Sequence, residues 1–372
     1  MIKPKFSILL PTKNRIKLLT YAINSVIEQD FEDYELIISD NNSSDGTKLY
    51  CEDLNDERIK YYRLNVDVPV TDNWNNAYSK AQGRYIFIIG DDDFLTKSFL
   101  HEINFELETN KNSDVVIAGH ARYHFDDYFD KNYRNKLVLR DYTNVSYEKK
   151  TSVYLNDFSN FNKTFHSAAI CIKKSLLDSI VAIGDEGPYR EPFPDYTAIF
   201  AALSLVDSVI YIDKPLLIAG VSSQGCGIKA QTDRKRYWTT ELSKNFEFLP
   251  PIAGDLFVNY YYISQRIVQS QNPENKVIPN LEKYLRLFIS ELFLIRFVNR
   301  KDKLEYELKN IKIYARSQSA TLKYKIYFWL LIGYLKLQLK KIGFSRVRLL
   351  INRFNDKNLI VSQSIKEAST KV

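Results

Sequence analysis

The stretch Gly83-Arg84-Tyr85-Ile86-Phe87-Ile88-Ile89-Gly90-Asp91-Asp92-Asp93-Phe94 constrains this chain more than any other. Tyr85 to Ile89 is an unbroken apolar run, short for a helix and apolar on both faces, which is how a strand buried inside a parallel sheet reads. Asp91, Asp92 and Asp93 follow without a break. Adjacent carboxylates repel, and each loses hydration at the end of a buried strand, so the cluster calls for a positive partner. All-oxygen ligation suits Mg²⁺ or Mn²⁺, which keep some waters and take the rest of their shell from substrate phosphates. A purely structural reading is an acidic turn whose aspartates are solvated or cap a helix starting near Phe94.

The preceding chain supplies a frame for that strand. Phe6 to Leu10 is a second candidate buried strand, and Pro11-Thr12-Lys13-Asn14-Arg15 is the loop that leaves it. Leu18, Leu19, Ala22, Ile23, Val26 and Ile27 then recur at helical spacing. Glu35 to Ser39 reads as the next strand and ends in the turn-rich Asp40-Asn41-Asn42-Ser43-Ser44-Asp45-Gly46-Thr47. Ile59 to Arg63 is a third strand, and Asn73 to Ala81 a helix feeding the Tyr85 strand. Such alternation is the spacing of parallel βαβ units, so the fold class is α/β. In these sheets ligands bind at the carboxyl ends of the strands. Pro11–Arg15, Asp40–Thr47 and Asp91–Asp93 all leave their strands on that edge; singly each also reads as a helix entry or an Asx-type turn.

Composition narrows the class. The 372 residues imply one large domain with an appendage, or two domains. Cys51, Cys171 and Cys226 are odd in number and far apart, which argues against a disulfide framework or a zinc site. His120 and His124 are spaced to share one face of a strand, as structural residues or as a ligand pair. The apolar run Phe6–Leu10 is stopped by Pro11 and is no signal-peptide core, so a cytoplasmic location is expected. The net charge of +7 is localised: residues 320–354 carry eight Lys or Arg and no Asp or Glu. The remainder is near neutral, so no nucleic acid partner is indicated.

Taken together, FSILLPTKNR, the helix after it, YELIISDNNSSDGT and GRYIFIIGDDDF resemble the amino-terminal half of glycosyltransferase family 2, whose members have the GT-A fold. The resemblance continues more weakly through Phe165–Lys174 and Pro192–Phe200, and fades after about Gly220. It implies a GT-A domain over residues 1–225, with a nucleotide-binding half at 1–100 and an acceptor half at 101–225, followed by a helical region at 226–372. It also implies that Pro11, Thr12, Asn14 and Arg15 line a nucleoside pocket, that Asp40 and Asn41 face base and ribose, and that Asp91 approaches the ribose. Asp92 would hold a Mn²⁺ or Mg²⁺ bridging a diphosphate, with Asp93 completing the metal cluster and Asp195 as general base. This chain departs from the family pattern at Asn41 and Gly90, where acidic residues are common, and it lacks a late His to complete the metal shell.

The implied activity is metal-dependent, inverting transfer of a sugar from a nucleotide sugar, a UDP-sugar by resemblance, to a glycan or lipid-linked acceptor of a bacterial surface polysaccharide. Asp195 opens an apolar helical pattern, so it also reads as an N-cap, and Glu191 is the reserve base. Two alternatives stand beside this. A sugar-nucleotide-forming nucleotidyltransferase expects a glycine-rich loop after the first strand, and Pro11–Arg15 has no glycine. A catalytically degenerate GT-A scaffold would bind nucleotide without transfer. Beyond Gly220, Gly225-Cys226-Gly227 reads as a linker or a loop closing over the diphosphate. Leu256–Val268, Leu281–Val298, Tyr306–Tyr314 and Thr321–Ile342 read as helices. Ile326 to Leu335, the densest apolar part, falls short of the ~20 residues a bilayer span needs. Two readings of it remain: a helix packed on its neighbours, or a peripheral contact with an anionic membrane surface through 320–354, with Trp329 and Tyr334 near the headgroups.

Overall fold

The computed structural model describes residues 3–110, 113–128, 130–162, 165–181, 187–191, 193–223, 225, 257–271, 278–293, 301–341 and 359–361, with 365, 367 and 370. Strand β1 (Phe6–Thr12) is buried from end to end and pairs in parallel with β2 (Tyr34–Asp40) and with β4 (Tyr85–Ile88). Strand β3 (Ile59–Arg63) extends the parallel half beside β2.

The side-chain period of two sorts these strands onto two cores. Phe6, Ile8, Leu10, Leu36, Ile38, Tyr85, Phe87 and Ile89 face one side, under α1 (Ile16–Ile27), α2 (Thr47–Glu52) and α4 (Phe99–Thr109). Leu9, Ile37, Ile86 and Ile88 face the other, under α3 (Val70–Lys80), α5 (Thr151–Ser159), α6 (Lys174–Val181) and α7 (Pro194–Leu203). Burial on both faces is the reason these strands read as continuous apolar runs. Truncating one such residue, Ile8 for example, costs about 2–5 kcal/mol.

The second half of the sheet is mixed. Next to β4 lies the antiparallel β9 (Ile170–Lys173), and next to that β6 (Val115–His124), which therefore runs in the same direction as β4. The long β10 (Ser208–Val221) follows β6 in parallel, its register shifting around Pro215. Short strands β5 (Phe94–Leu95), β7 (Lys136–Val138) and β8 (Ser146–Lys150) run against them. Consequently the carboxyl ends of β1, β2, β4, β6 and β10 share one edge.

The observed boundaries differ from the expected ones in instructive places. Strand β1 continues through Pro11, which sits opposite Ser39; a proline is tolerated here because the missing N–H falls near the strand end. Helix α3 begins at Val70, three residues before the apolar pattern, because Pro69 turns the chain into it. His120 and His124 lie on β6, but their rings have different partners: His120 meets His166 at 5.5 Å, and His124 meets Tyr128 at 4.6 Å. They do not form a ligand pair.

The carboxyl-terminal region supplies α8 (Phe257–Gln271), α9 (Leu281–Leu292), α10 (Lys301–Arg316) and α11 (Ala320–Lys341). They share an apolar core of their own that includes Tyr284, Leu285, Phe288, Ile311, Ile326 and Leu330. Gly333 lets α11 come close, since a Cβ there would stand 2.3 Å from the Phe293 ring. The region is not wholly helical, as the sequence suggested: β11 (Leu359–Val361) returns to pair with β7, and Ile365 is buried beside Tyr123 and Leu137. No described helix is long and apolar enough to cross a membrane. Pro192, Cys226, Gly227, Leu256, Val298, Ile342, Arg346, Arg348 and Arg353 lie outside the described residues.

Candidate active site

Thr12 and Asp40 end their strands at the same level, and Asp91 leaves β4 next to them. Thr12 Oγ1 donates to Asp91 Oδ2 at 2.8 Å. The Arg15 guanidinium forks across the acidic turn, one nitrogen on Asp91 Oδ1 and the other on Asp92 Oδ2 at 2.7 Å. That second nitrogen also donates to Ser222 Oγ at 3.0 Å, and Ser222 Oγ donates in turn to Asp92 Oδ2 at 3.4 Å. The positive partner demanded by the Asp cluster is therefore present in the chain itself.

The three aspartates are not equivalent. Asp93 is buried, with one carboxylate oxygen accepting from the Gly90 amide at 2.9 Å and the other from the Gly220 amide at 3.2 Å. It clamps the turn to β10 from behind, and burial, reinforced by the Asp92 charge, raises its carboxyl well above the usual range. Burial also pushes Asp91 up to about 6, against the pull of Arg15. Asp92 keeps 14% of its side chain exposed against 5% for Asp91, so it is the carboxylate most open to a ligand. Gly90 belongs to the same arrangement: a Cβ there would stand 2.8 Å from Asp92 Oδ1 and 3.1 Å from Asp93 Oδ2.

The β2 loop is built from the inside. Asp40 is fully buried, accepting from the Ser43 amide at 3.0 Å and the Tyr61 hydroxyl at 2.7 Å, with Arg63 Nε at 3.6 Å. Asn41 clamps the Val68 backbone, its amide nitrogen donating to the carbonyl at 2.8 Å and its oxygen accepting from the N–H at 2.9 Å. Neither side chain faces outward toward a base and ribose as expected. A carboxylate at the end of a buried strand must find donors, and Asp40 finds them within the protein. Asn14, in the left-handed region at φ 53°, ties this loop to the first: its backbone N–H donates to Ser43 Oγ at 2.8 Å, and its Oδ1 accepts from the Ser44 amide at 2.7 Å. Asp45 accepts from the Ile16 amide at 2.8 Å and so satisfies an orphan donor at the start of α1. Burial would raise the Asp45 carboxyl, but hydrogen bonds from Thr47 and Ile16 hold it below the usual range.

Asp195 lies in the first turn of α7, half-buried, with Phe193 at the cap position and no side-chain cap bond there. The N-cap reading of Asp195 is thus replaced by a place inside the first turn. One turn on, Ala198 and Ile199 close with Ile86, Ile88 and Tyr189 around a small apolar cavity, which sets α7 against β4. Asn75 of α3 holds the adjoining segment by both backbone groups of Tyr189, accepting from its N–H at 3.2 Å and donating to its carbonyl at 2.9 Å. Glu191 and Asp195 both have polar or electrostatic partners.

Sequence reading missed Ser222, Gly220 and Asn75. A Cβ on Gly220 would stand 1.8 Å from the Asp92 carbonyl oxygen, and one on Gly225 would stand 3.4 Å from Asp92 Oδ2. The end of β10 therefore wraps Asp92, and the only advance sign was the Gly225 loop.

The donor set bears on a metal. Among the described residues no group of three or more His, Cys, Asp or Glu is placed to hold a metal ion by itself. Open all-oxygen sites completed by water and substrate phosphate suit Mg²⁺ or Mn²⁺. Asp91 and Asp92 outnumber the single Arg15 charge at the turn, so the residues fit a divalent cation at Asp92.

Comparison with known proteins bears on the family and the fold. The profile of Glycosyl transferase family 2 matches residues 7–176. A Campylobacter jejuni protein named GalNAc(5)-diNAcBac-PP-undecaprenol beta-1,3-glucosyltransferase is 32% identical over 181 residues, 47% of this chain and 54% of that protein. An Escherichia coli protein, UDP-Glc:alpha-D-GlcNAc-diphosphoundecaprenol beta-1,3-glucosyltransferase WfgD, is 30% identical over 105 residues, 28% of this chain and 42% of its own length. The chain thus spans about half the length of the curated relatives it matches. Residues 1–349 of Staphylococcus aureus TarS, solved with UDP-GlcNAc, superpose with a TM-score of 0.56 at 14% identity, covering 91% of this chain and 92% of that one. That likeness is one of fold, and it extends past the matched segment into the helical region. Residues 7–176 of this chain match the model of glycosyl transferase family 2, and they lie on a GT-A type α/β sheet followed by a largely helical carboxyl-terminal region.

Proposed function

We propose that the protein transfers a sugar, with inversion, from a UDP-sugar to a glycan or lipid-linked acceptor during surface-polysaccharide assembly. The observation that carries this reading is the constellation of Thr12, Arg15, Asp91, Asp92 and Ser222 at the carboxyl edge of the sheet. Two relatives are named for transfer to undecaprenyl diphosphate-linked sugars, and TarS was solved with UDP-GlcNAc. A Mn²⁺ or Mg²⁺ held by Asp92, with Asp91 beside it, would supply fixed positive charge for the departing diphosphate.

The chain's own residues do the rest. The Asp40 and Asn41 loop is rigid because its polar side chains are spent internally, so it offers a preformed wall to the nucleoside. Arg15 neutralises the acidic turn until the donor arrives. The Asp195 carboxylate accepts the proton of the acceptor hydroxyl, and Asn75 positions it by holding the segment that leads into α7. General-base assistance is worth ~10²–10⁴-fold.

The test is calorimetric binding of UDP, GDP and dTDP with and without Mn²⁺, followed by a mass-spectrometric screen of donors. Metal-dependent UDP affinity is expected, and absence of binding by every nucleotide sinks the proposal. Nucleotide binding without donor hydrolysis or transfer would leave a scaffold. Asp92→Asn should lose metal-dependent affinity and turnover together. Asp195→Asn should keep donor affinity and lower kcat at least ~10²-fold. Near-normal turnover in Asp195→Asn with loss in Glu191→Gln would move the base to Glu191.

A further inference from the structure

Helix α11 divides into two faces. Ile326 and Leu330 are buried in the helical core, with Leu322 and Trp329 packed against it. The opposite face carries Tyr324, Tyr327, Phe328, Leu331, Tyr334 and Leu335, at the 3-and-4 spacing of one continuous stripe. Phe328, Leu331 and Tyr334 are each more than 50% exposed and Tyr324 is 75% exposed, although these are side chains that normally seek cover. Trp329 is turned toward the core and away from this stripe.

The formal charge of the segment that bears the stripe is of one sign. Residues 320–354 carry eight Lys or Arg and no acid. Lys323, at the amino-terminal end of the stripe, is exposed. Lys325 is already paired with Glu282 at 2.7 Å. Two copies meeting through this face would bring two wholly basic segments together. An anionic surface meets them with opposite charge.

We propose that the outward stripe of α11 docks in the plane of an anionic lipid surface, apolar rings entering the headgroup boundary while Lys323 and the basic surplus of the segment meet lipid phosphates. The helix does not span: its inner face belongs to the protein core. Tyrosines suit this depth because their rings are apolar and their hydroxyls remain wet. Nothing in the proposal depends on the sugar chemistry.

The experiment is co-sedimentation of the full chain with vesicles of phosphatidylcholine alone or mixed with phosphatidylglycerol, at low and high salt. Binding is expected only to the mixed vesicles and should weaken as salt rises. The double variant Phe328→Ser with Leu331→Ser should bind at least ~10-fold more weakly while its circular dichroism melt is unchanged, because both side chains are exposed. If that variant does melt early, Tyr334→Glu serves in its place. Three results overturn the proposal: full-length protein that ignores mixed vesicles at low salt, variants that bind as well as the parent, or a parent dimer that the variant dissolves in sedimentation velocity. The last would assign the stripe to a second copy of the chain.

Discussion

Arg15 shows how much one side chain carries. Its fork spans Asp91 and Asp92 while being largely buried, and no lysine reproduces that planar grip. Arg15→Ala leaves two carboxylates in repulsion with nothing between them. It should lower stability by about 3 kcal/mol in chelator, the scale of a broken buried pair. Adding Mn²⁺ with UDP should recover part of that loss in a thermal melt, because a dication takes over the same charge. Equal destabilisation with and without the metal would show that Arg15 acts as a packing residue. The buried thiols make a second residue-scale prediction. Burial pushes Cys51 up to about 12 and raises Cys171 as well, so the thiolate form is suppressed across the ordinary range. Raising pH from 7 to 9, in the range of a free thiol, should leave both unlabelled by a maleimide in native protein. Peptide mass spectrometry reads the result, and labelling without unfolding would contradict their burial.

At the scale of elements, the end of β10 acts as the back wall of the acidic turn Asp91–Asp93. Gly220 approaches the Asp92 carbonyl so closely that any Cβ displaces one of them. Gly220→Ala should therefore cost about 1–3 kcal/mol as an overpacked contact, and it should weaken metal-dependent nucleotide binding more than Ala substitutions elsewhere in the strand. Fluorescence melts and calorimetry of one preparation separate the two effects. Helix α3 has the complementary role on the other side of the sheet. Asn73 and Asn76 bond Ser39 at the end of β2, while Asn75 reaches the segment before α7. The asparagines of this helix thus join the β2 end to the segment before α7. The sequence VTDNWNNAYSK looks unremarkable for a helix because its asparagines serve neighbours rather than the helix itself.

For the whole molecule, the helical region is an integral support rather than a detachable tail. Val268 of α8 is part of the core under α7, Gln265 donates to the Phe158 carbonyl, and the Asn280 amide donates to the Ser159 carbonyl at 3.1 Å. Because α11 contributes Ile326 and Leu330 to the helical core, cutting before Thr321 opens that core, and surface substitutions test the outer stripe more cleanly. Deleting residues 257–372 should lower the melting midpoint and acceptor-dependent turnover. A truncated protein with an unchanged melt would show that the two parts are independent.

The sequence by itself determined the first four strands, their order of appearance and the polar edge. A strand buried on both faces is written in its own residues, as in Phe6–Leu10 and Tyr85–Ile89, and three polar loops leave three such strands on one side. It also showed Asp91 to Asp93 needing a positive partner. Only the tertiary structure decided what met that need, because the partners of a buried carboxylate come from chain remote in sequence. Arg15 lies 76 positions from Asp91 and Ser222 lies 130 from Asp92. The same holds in part for Asp40, Asn41 and Asp93: the Ser43 and Gly90 amides lie three positions from their acceptors, but Tyr61, Val68 and Gly220 lie 21, 27 and 127 away. It holds for α11 too: its apolar residues surround the helix, and only packing against its neighbours selected which face is covered and which is left exposed.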